Sequence, residues 1–282
     1  MTYLQTGNQY INVEGEQIAY RQMGKGQSKL PLLMLVHLAA TMDNWDPKLM
    51  DQLAQKQEII LFDLNGVGAS SGRVAKTIPG MAEQAIAFIQ ALGYKKINLL
   101  GLSMGGMIAQ EVVRQKPDLV HQVILVGTGP RDGNGINKIT ARTFAYMGRA
   151  LLTGTDPKRY IFYGHDQEGK EVADQVLKRL ASREEAFRDA RMKLSSFLRQ
   201  LAAIKAWSQT GPDDLSFIQQ KTLIVNGDDD RMVPTENSRI LKERLTSSQL
   251  VLYPKAGHGS LFQYSDQFAK LVHAFLEEEV CI

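Results

Sequence analysis

Ser103 stands in the run Gly101-Leu102-Ser103-Met104-Gly105. A serine with glycine two places before and two places after it marks a nucleophile held in a tight turn between a strand and a helix. Side chains at those two positions would collide, and Gly106 gives the helix further room to approach. The turn projects the hydroxyl from the sheet edge. The start of the helix offers backbone N–H groups, beginning with that of Met104, to a developing oxyanion. A serine needs a base to take its proton, and the base needs an acid to orient it. Both types follow in that order. Gly227-Asp228-Asp229-Asp230-Arg231-Met232-Val233-Pro234 holds three acids, and Pro254-Lys255-Ala256-Gly257-His258-Gly259 holds a histidine. Four other histidines compete with His258. His121 and His273 read as surface or packing residues, His165 is a candidate pocket residue, and His37 ends an apolar run.

For these residues to meet, the elements before them must end at one edge. Short apolar runs bounded by turn residues precede each: Leu32–His37, Glu58–Leu64, Ile97–Leu102, Gln122–Val126, Lys221–Asn226 and Gln249–Tyr253. They lack the strict alternation of a half-exposed strand, so they read as strands buried on both faces. Residues Gln9 to Met23 alternate around Glu14-Gly15-Glu16 and predict a hairpin. Helical spacing appears over Thr77–Leu92, with Thr77 as N-cap and Gly93 as stop, and over Met104–Gln115, Thr235–Leu245 and Asp266–Glu279. Strands alternating with helices predict a doubly wound, mostly parallel α/β sheet. In such a sheet Ser103, the Asp228–Asp230 loop and His258 share the edge where ligands bind.

The alternation stops between Pro130 and Phe217, where the pattern is helical. Residues 131–217 carry 15 basic and 11 acidic residues, a net of +4, which reads as a solvated helix face. The segment reads as an insertion: residues 1–129 and 218–282 form one core domain, and 130–217 a helical unit.

The chain has 282 residues, 44% hydrophobic and 22% charged, with a net charge of +3. That is too apolar for a disordered chain and too balanced for a nucleic-acid partner. The single cysteine, Cys281, excludes an internal disulfide and a cysteine-based zinc site. The N-terminus lacks the layout of a signal peptide, and no apolar run is long enough to span a membrane. A cytoplasmic protein is expected, acting on a small molecule without cofactor or metal.

The order of these blocks resembles the α/β-hydrolase superfamily, in the branch of bacterial esterases, cofactor-free haloperoxidases and C–C bond hydrolases. His37 with its loop, Asp63-Leu64-Asn65-Gly66-Val67-Gly68-Ala69-Ser70, the Ser103 turn and the two later loops match in sequence. The resemblance spans nearly all of the chain outside 130–217, which lies where that family carries a helical lid. It implies the pattern G-x-x-D-x-x-V-P, which selects Asp230 over Asp228 and Asp229. It implies a Ser103–Asp230–His258 triad. It also implies that the loop after His37 supplies a second oxyanion N–H, that of Ala39, beside Met104. The family usually has glycine after this histidine, whereas Leu38 stands here, and a leucine does not enter positive φ freely. His37 then buttresses the loop. The glycine turn after Asp63 lies on the rim of the site and lacks the lysine of a phosphate-binding loop.

The implied reaction is acyl transfer to Ser103 and hydrolysis of the acyl-enzyme, most simply of a small to medium apolar carboxylic ester. A C–C hydrolase, lyase or perhydrolase with the same triad is the nearest alternative. A hydrolase-like ligand-binding protein is the alternative from another class. Tyr146, Met147, Leu151, Leu152, Tyr160, Phe162, Phe197 and Trp207 are candidates for an apolar pocket, and Arg142, Arg149 and Arg159 for a carboxylate contact.

Overall fold

Within three of the runs read as strands, the observed strands Leu32–Leu35, Ile59–Phe62 and Ile97–Leu102 contain only buried residues. Leu33 and Leu35 enter one apolar layer while Leu32 and Met34 enter another. The alternation missing from the sequence is therefore present in space, with both faces apolar. The structure, a computed structural model, describes residues 2–277. Cys281 and the last two residues of the helix read over Asp266–Glu279 lie outside the described residues.

In chain order, β1 (Gln9–Val13) and β2 (Glu16–Met23) form the expected hairpin. Its turn residues Glu14 and Gly15 have φ of 53° and 90°, the paired left-handed residues that suit a two-residue hairpin. Then come β3 (Leu32–Leu35), α1 (Pro47–Leu53), β4 (Ile59–Phe62) and α2 (Ile78–Ala91). Thr77 caps α2 by accepting from the Gly80 N–H at 3.1 Å. Next are β5 (Ile97–Leu102), α3 (Met104–Gln115) and β6 (Val120–Val126). After a helical segment come the last two strands, β7 (Lys221–Gly227) and β8 (Ser248–Tyr253). The sheet order is β1-β2-β4-β3-β5-β6-β7-β8. From β4 onward all neighbours are parallel, and the hairpin adds the antiparallel edge. The fold is the mostly parallel, doubly wound α/β sheet that the runs predict. The strand ends place the turn after β5 beside β3 and β6, with Gly101 opposite Leu35 and Leu125.

Between β6 and β7 the described chain is all helical: α4 (Ile139–Thr153), α5 (Lys158–Ile161), α6 (Gln167–Ala181) and α7 (Leu194–Trp207), with short 3-10 turns. Polar bonds fix this segment to the loops and helices of the rest of the chain. The Arg179 guanidinium grips Asp46 with bonds of 2.8 and 2.7 Å, and Asp46 is fully buried. Arg183 donates to the carbonyls of Tyr3 and Thr6 at 2.5 Å each. Helix α7 is held by Ser196 Oγ on the Gly66 carbonyl, Arg199 Nε on the Val74 carbonyl and Trp207 Nε1 on Glu111, at 2.6, 2.7 and 3.1 Å. Beyond β7 lie α8 (Glu236–Arg244), β8 (Ser248–Tyr253), α9 (Ser260–Gln263) and α10 (Ser265–Glu277). None of the described helices is long and apolar enough to cross a membrane.

Candidate active site

Ser103 joins β5 to α3 with φ 57° and ψ −117°, a left-handed conformation that costs a non-glycine residue on the order of 1–3 kcal/mol. Its surroundings hold it there. The Ser103 N–H donates to the Val126 carbonyl at 2.8 Å, and its own carbonyl accepts from Gly106 at 2.9 Å. A Cβ on Gly101 would fall within 3 Å of the Gly105 backbone, and one on Gly105 within 3 Å of the Leu35 carbonyl. The second glycine is thus required by the neighbouring strand as much as by the turn itself. A Cβ on Gly106 would overlap the Thr128 side chain. Met104 opens α3, so its N–H has no helical carbonyl behind it.

The loops after β7 and β8 bring an acid to a base. His258 Nδ1 lies 2.8 Å from Asp230 Oδ2, and both residues are buried. A carboxylate only accepts, so Nδ1 carries the proton and Nε2 is left as an acceptor. The other carboxylate oxygen, Oδ1, accepts the N–H groups of Met232 and Val233 at 2.9 and 3.0 Å. Asp230 is thereby fixed in rotamer, and its charge is met by three donors. Of its neighbours, Asp229 turns outward to Arg231 at 2.8 Å. The backbone of the histidine loop is bonded to the helical segment: His258 N–H donates to the Ile161 carbonyl at 3.2 Å and Gly259 N–H to that of Phe162 at 2.8 Å.

Ser103 and His258 open into one cavity of about 360 Å³. Its remaining wall is almost wholly apolar. Met147, Met192 and Met232 supply thioethers, and Ile139, Ile161, Phe162, Phe197 and Ile204 supply most of the rest. Lys158 lies at this wall, paired with Asp156 at 3.0 Å. Of the pocket candidates read from sequence, Met147, Phe162 and Phe197 line the cavity. Leu151 and Leu152 are 85% and 89% exposed, and Trp207 turns its N–H to Glu111. Tyr160 stacks beneath Arg149 instead. None of the three arginines lines the cavity: Arg142 donates to the Met232 carbonyl, Arg149 covers Tyr160 and Arg159 pairs with Asp174. His165 is also absent from the wall. Met192 and Leu194 precede or begin α7, where no periodicity marks an inward side.

The loop after β3 departs from expectation. The left-handed residue is Ala39, with φ 61°, although it has a Cβ. Leu38 keeps a negative φ, so the strain passes one position along to the smaller side chain. Ala39 lines the cavity, yet its N–H donates to Gln200 Oε1 on α7 at 2.9 Å. His37 also lines the cavity. Its Nδ1 bonds the Leu38 carbonyl at 2.8 Å, which ties the ring to its own loop, and its ring meets Phe162 edge-on at 4.8 Å. Burial pushes the His37 pKa down to about 3, so the ring is neutral at physiological pH. Asp63 is buried beneath the glycine turn, where Met42 and Ala69 N–H groups bond it. Burial and the Asp189 carboxyl beside it raise its pKa well above the usual range. Among the described residues no cluster of three His, Cys, Asp or Glu side chains could hold a metal ion.

Residues 31–263 match the alpha/beta hydrolase fold family. The chain belongs to that family. A solved structure of an alpha/beta hydrolase fold protein from Chitinophaga pinensis superposes with a TM-score of 0.91 at 32% identity, covering 99% of this hydrolase and all of that chain. A poly(3-hydroxyalkanoate) depolymerase from Ectopseudomonas oleovorans is 28% identical over 88% of this chain and 85% of its own length. A pimeloyl-[acyl-carrier protein] methyl ester esterase from Aeromonas hydrophila is 28% identical over 79% of this chain and 87% of its own. The hydrolase is thus an enzyme of this fold family.

Proposed function

We propose that the protein is a serine hydrolase of carboxylic esters, working through Ser103, His258 and Asp230. The observation that carries this reading is the buried Asp230–His258 bond at the cavity into which Ser103 opens. His258 Nε2 takes the Ser103 proton as Oγ attacks the ester carbonyl. Asp230 keeps the proton on Nδ1 and stabilises the imidazolium. The alkoxide leaves with the proton held by His258. Water then attacks the acyl-enzyme with His258 again as base. The Met104 N–H and, once released by Gln200, the Ala39 N–H receive the oxyanion. Losing one such donor costs about 2.7–4 kcal/mol of transition-state stabilisation.

Segment 130–217 serves in this reading as the lid that shapes the substrate site. Its apolar wall suits an acyl or alcohol group of medium length, and the three methionines adapt to more than one shape. A relative named as a methyl ester esterase is consistent with an ester substrate. A series of p-nitrophenyl esters tests the proposal. Hydrolysis should peak at medium acyl chains. Asp230→Asn should lower kcat by on the order of 10⁴-fold, as loss of the tautomer-fixing acid does in other triads, while the protein stays folded. No turnover across the series, or an Asp230→Asn loss below tenfold, overturns it.

A further inference from the structure

The Ala39 N–H is an unusual group to find occupied by this protein's own side chain. Ala39 lines the same cavity as Ser103, and its N–H is the donor assigned above to the oxyanion. A carboxamide oxygen now sits on it at 2.9 Å. That oxygen is chemically close to the ground-state carbonyl of a substrate. Building on the ester-hydrolase reading, we propose that Gln200 is a specificity residue. It holds the Ala39 N–H in the free enzyme and must hand it to the substrate carbonyl before Ser103 attacks.

Three features argue that the contact is made to be exchanged. A backbone N–H only donates, so the bond fixes Oε1 toward Ala39 and leaves Nε2 as a free donor. Gln200 is fully buried, and Nε2 has no partner among the described residues. An unpaired buried donor is unfavourable, so the amide is held at one end and penalised at the other. Next, the contact is not needed to dock its helix. Ser196, Arg199 and Trp207 hold α7 to the core through separate bonds. Release of Ala39 leaves those three bonds in place. Finally, Phe197 and Ile204 lie three before and four after Gln200, on the same helix face, and both line the cavity. A substrate that fills the cavity therefore presses on the face that carries the amide.

The hand-over makes the acyl group compete with one neutral hydrogen bond, a handicap of roughly 2- to 12-fold in kcat/KM. Gln200→Met keeps the length and removes the bond. It should raise kcat/KM for a short p-nitrophenyl ester by roughly that factor, and raise the fluorophosphonate labelling rate with it. Gln200→Glu keeps an oxygen acceptor on Ala39 and should raise neither. Equal or lower activity in Gln200→Met overturns the proposal, and a fall in both variants makes Gln200 a donor or a packing residue. Should Gln200→Met not fold, ¹⁵N spectra of the wild type decide. An alkyl boronic acid should shift the Ala39 amide and the Gln200 side-chain NH₂ signals together. An unmoved Gln200 signal in the boronate-bound enzyme sinks the inference alone. A wild type in which Ser103 is inert to both reagents sinks the ester-hydrolase reading itself.

Discussion

At the scale of single residues, two histidines in one cavity are set to different tasks by their hydrogen bonds. His258 has a carboxylate on Nδ1, which leaves Nε2 as the ring's other nitrogen. His37 has only a carbonyl on Nδ1, and burial holds its pKa near 3. His37 is buried neutral, and the unfolded chain binds its proton more readily, with a pKa near 6.5. Between those values the unfolded state holds the extra proton, so stability falls as pH drops through this window, by up to about 1.4 kcal/mol per unit. Asp63 acts oppositely. Its raised pKa stabilises the fold at low pH, and that contribution is lost as pH rises above the ordinary carboxyl range. Comparing wild type with His37→Gln cancels the Asp63 contribution. The urea-derived stability advantage of wild type should shrink by about 3 kcal/mol from pH 7 to pH 4. A gap that does not change with pH would contradict a neutral, buried His37. Ser103 and His258 stand out in the sequence as candidates because turn chemistry and strand endings mark them, and family resemblance singles out Asp230, which the structure pairs with His258. Gln200 was not legible. It reads as a polar residue on a surface helix, and the available signal was its place between Phe197 and Ile204 on the apolar face.

At the scale of elements, the turn after β5 works because two backbones approach where no side chain intervenes. Gly105 faces the Leu35 carbonyl of β3, and Gly101 faces the Gly105 backbone. Gly105→Ala must push α3 away from β3 or shift the turn. We expect a loss of more than about 3 kcal/mol, at the upper end of overpacking effects, read as a fall in the urea midpoint. A variant of unchanged stability and activity would show that α3 moves freely. The sheet strands were readable as apolar runs because burial on both faces leaves no polar position to confuse. Their ends were less readable: β4 stops at Phe62, two residues before the end of its apolar run, because Asp63 turns inward to bond the Met42 N–H. Helices α4 to α7 pack on other helices and around the cavity, with exposed residues on their remaining faces, so their composition announces helix without saying which residues meet the cavity. Exposed Leu151 and Leu152 show how far apolar character misleads there.

At the scale of the whole molecule, the near-neutral charge conceals buried ion pairs that hold the helical segment in place. Asp46 is fully buried and paired to Arg179, and Arg21 and Arg183 share Asp43 at 2.7 and 3.1 Å. These contacts and the backbone bonds from the His258 loop to Ile161 and Phe162 join the segment to the site from two sides. Four strand ends and one helical wall thus meet at a single cavity, with one serine hydroxyl among its lining residues beside a paired histidine. The central claim is that this hydroxyl is the nucleophile. Reaction with a fluorophosphonate, followed by digestion and mass spectrometry, tests it most directly. One adduct is expected, on Ser103, absent from Ser103→Ala and formed at least about 10³-fold more slowly in His258→Ala, as loss of the general base implies. An adduct on another residue, or undiminished labelling of Ser103→Ala, would contradict it.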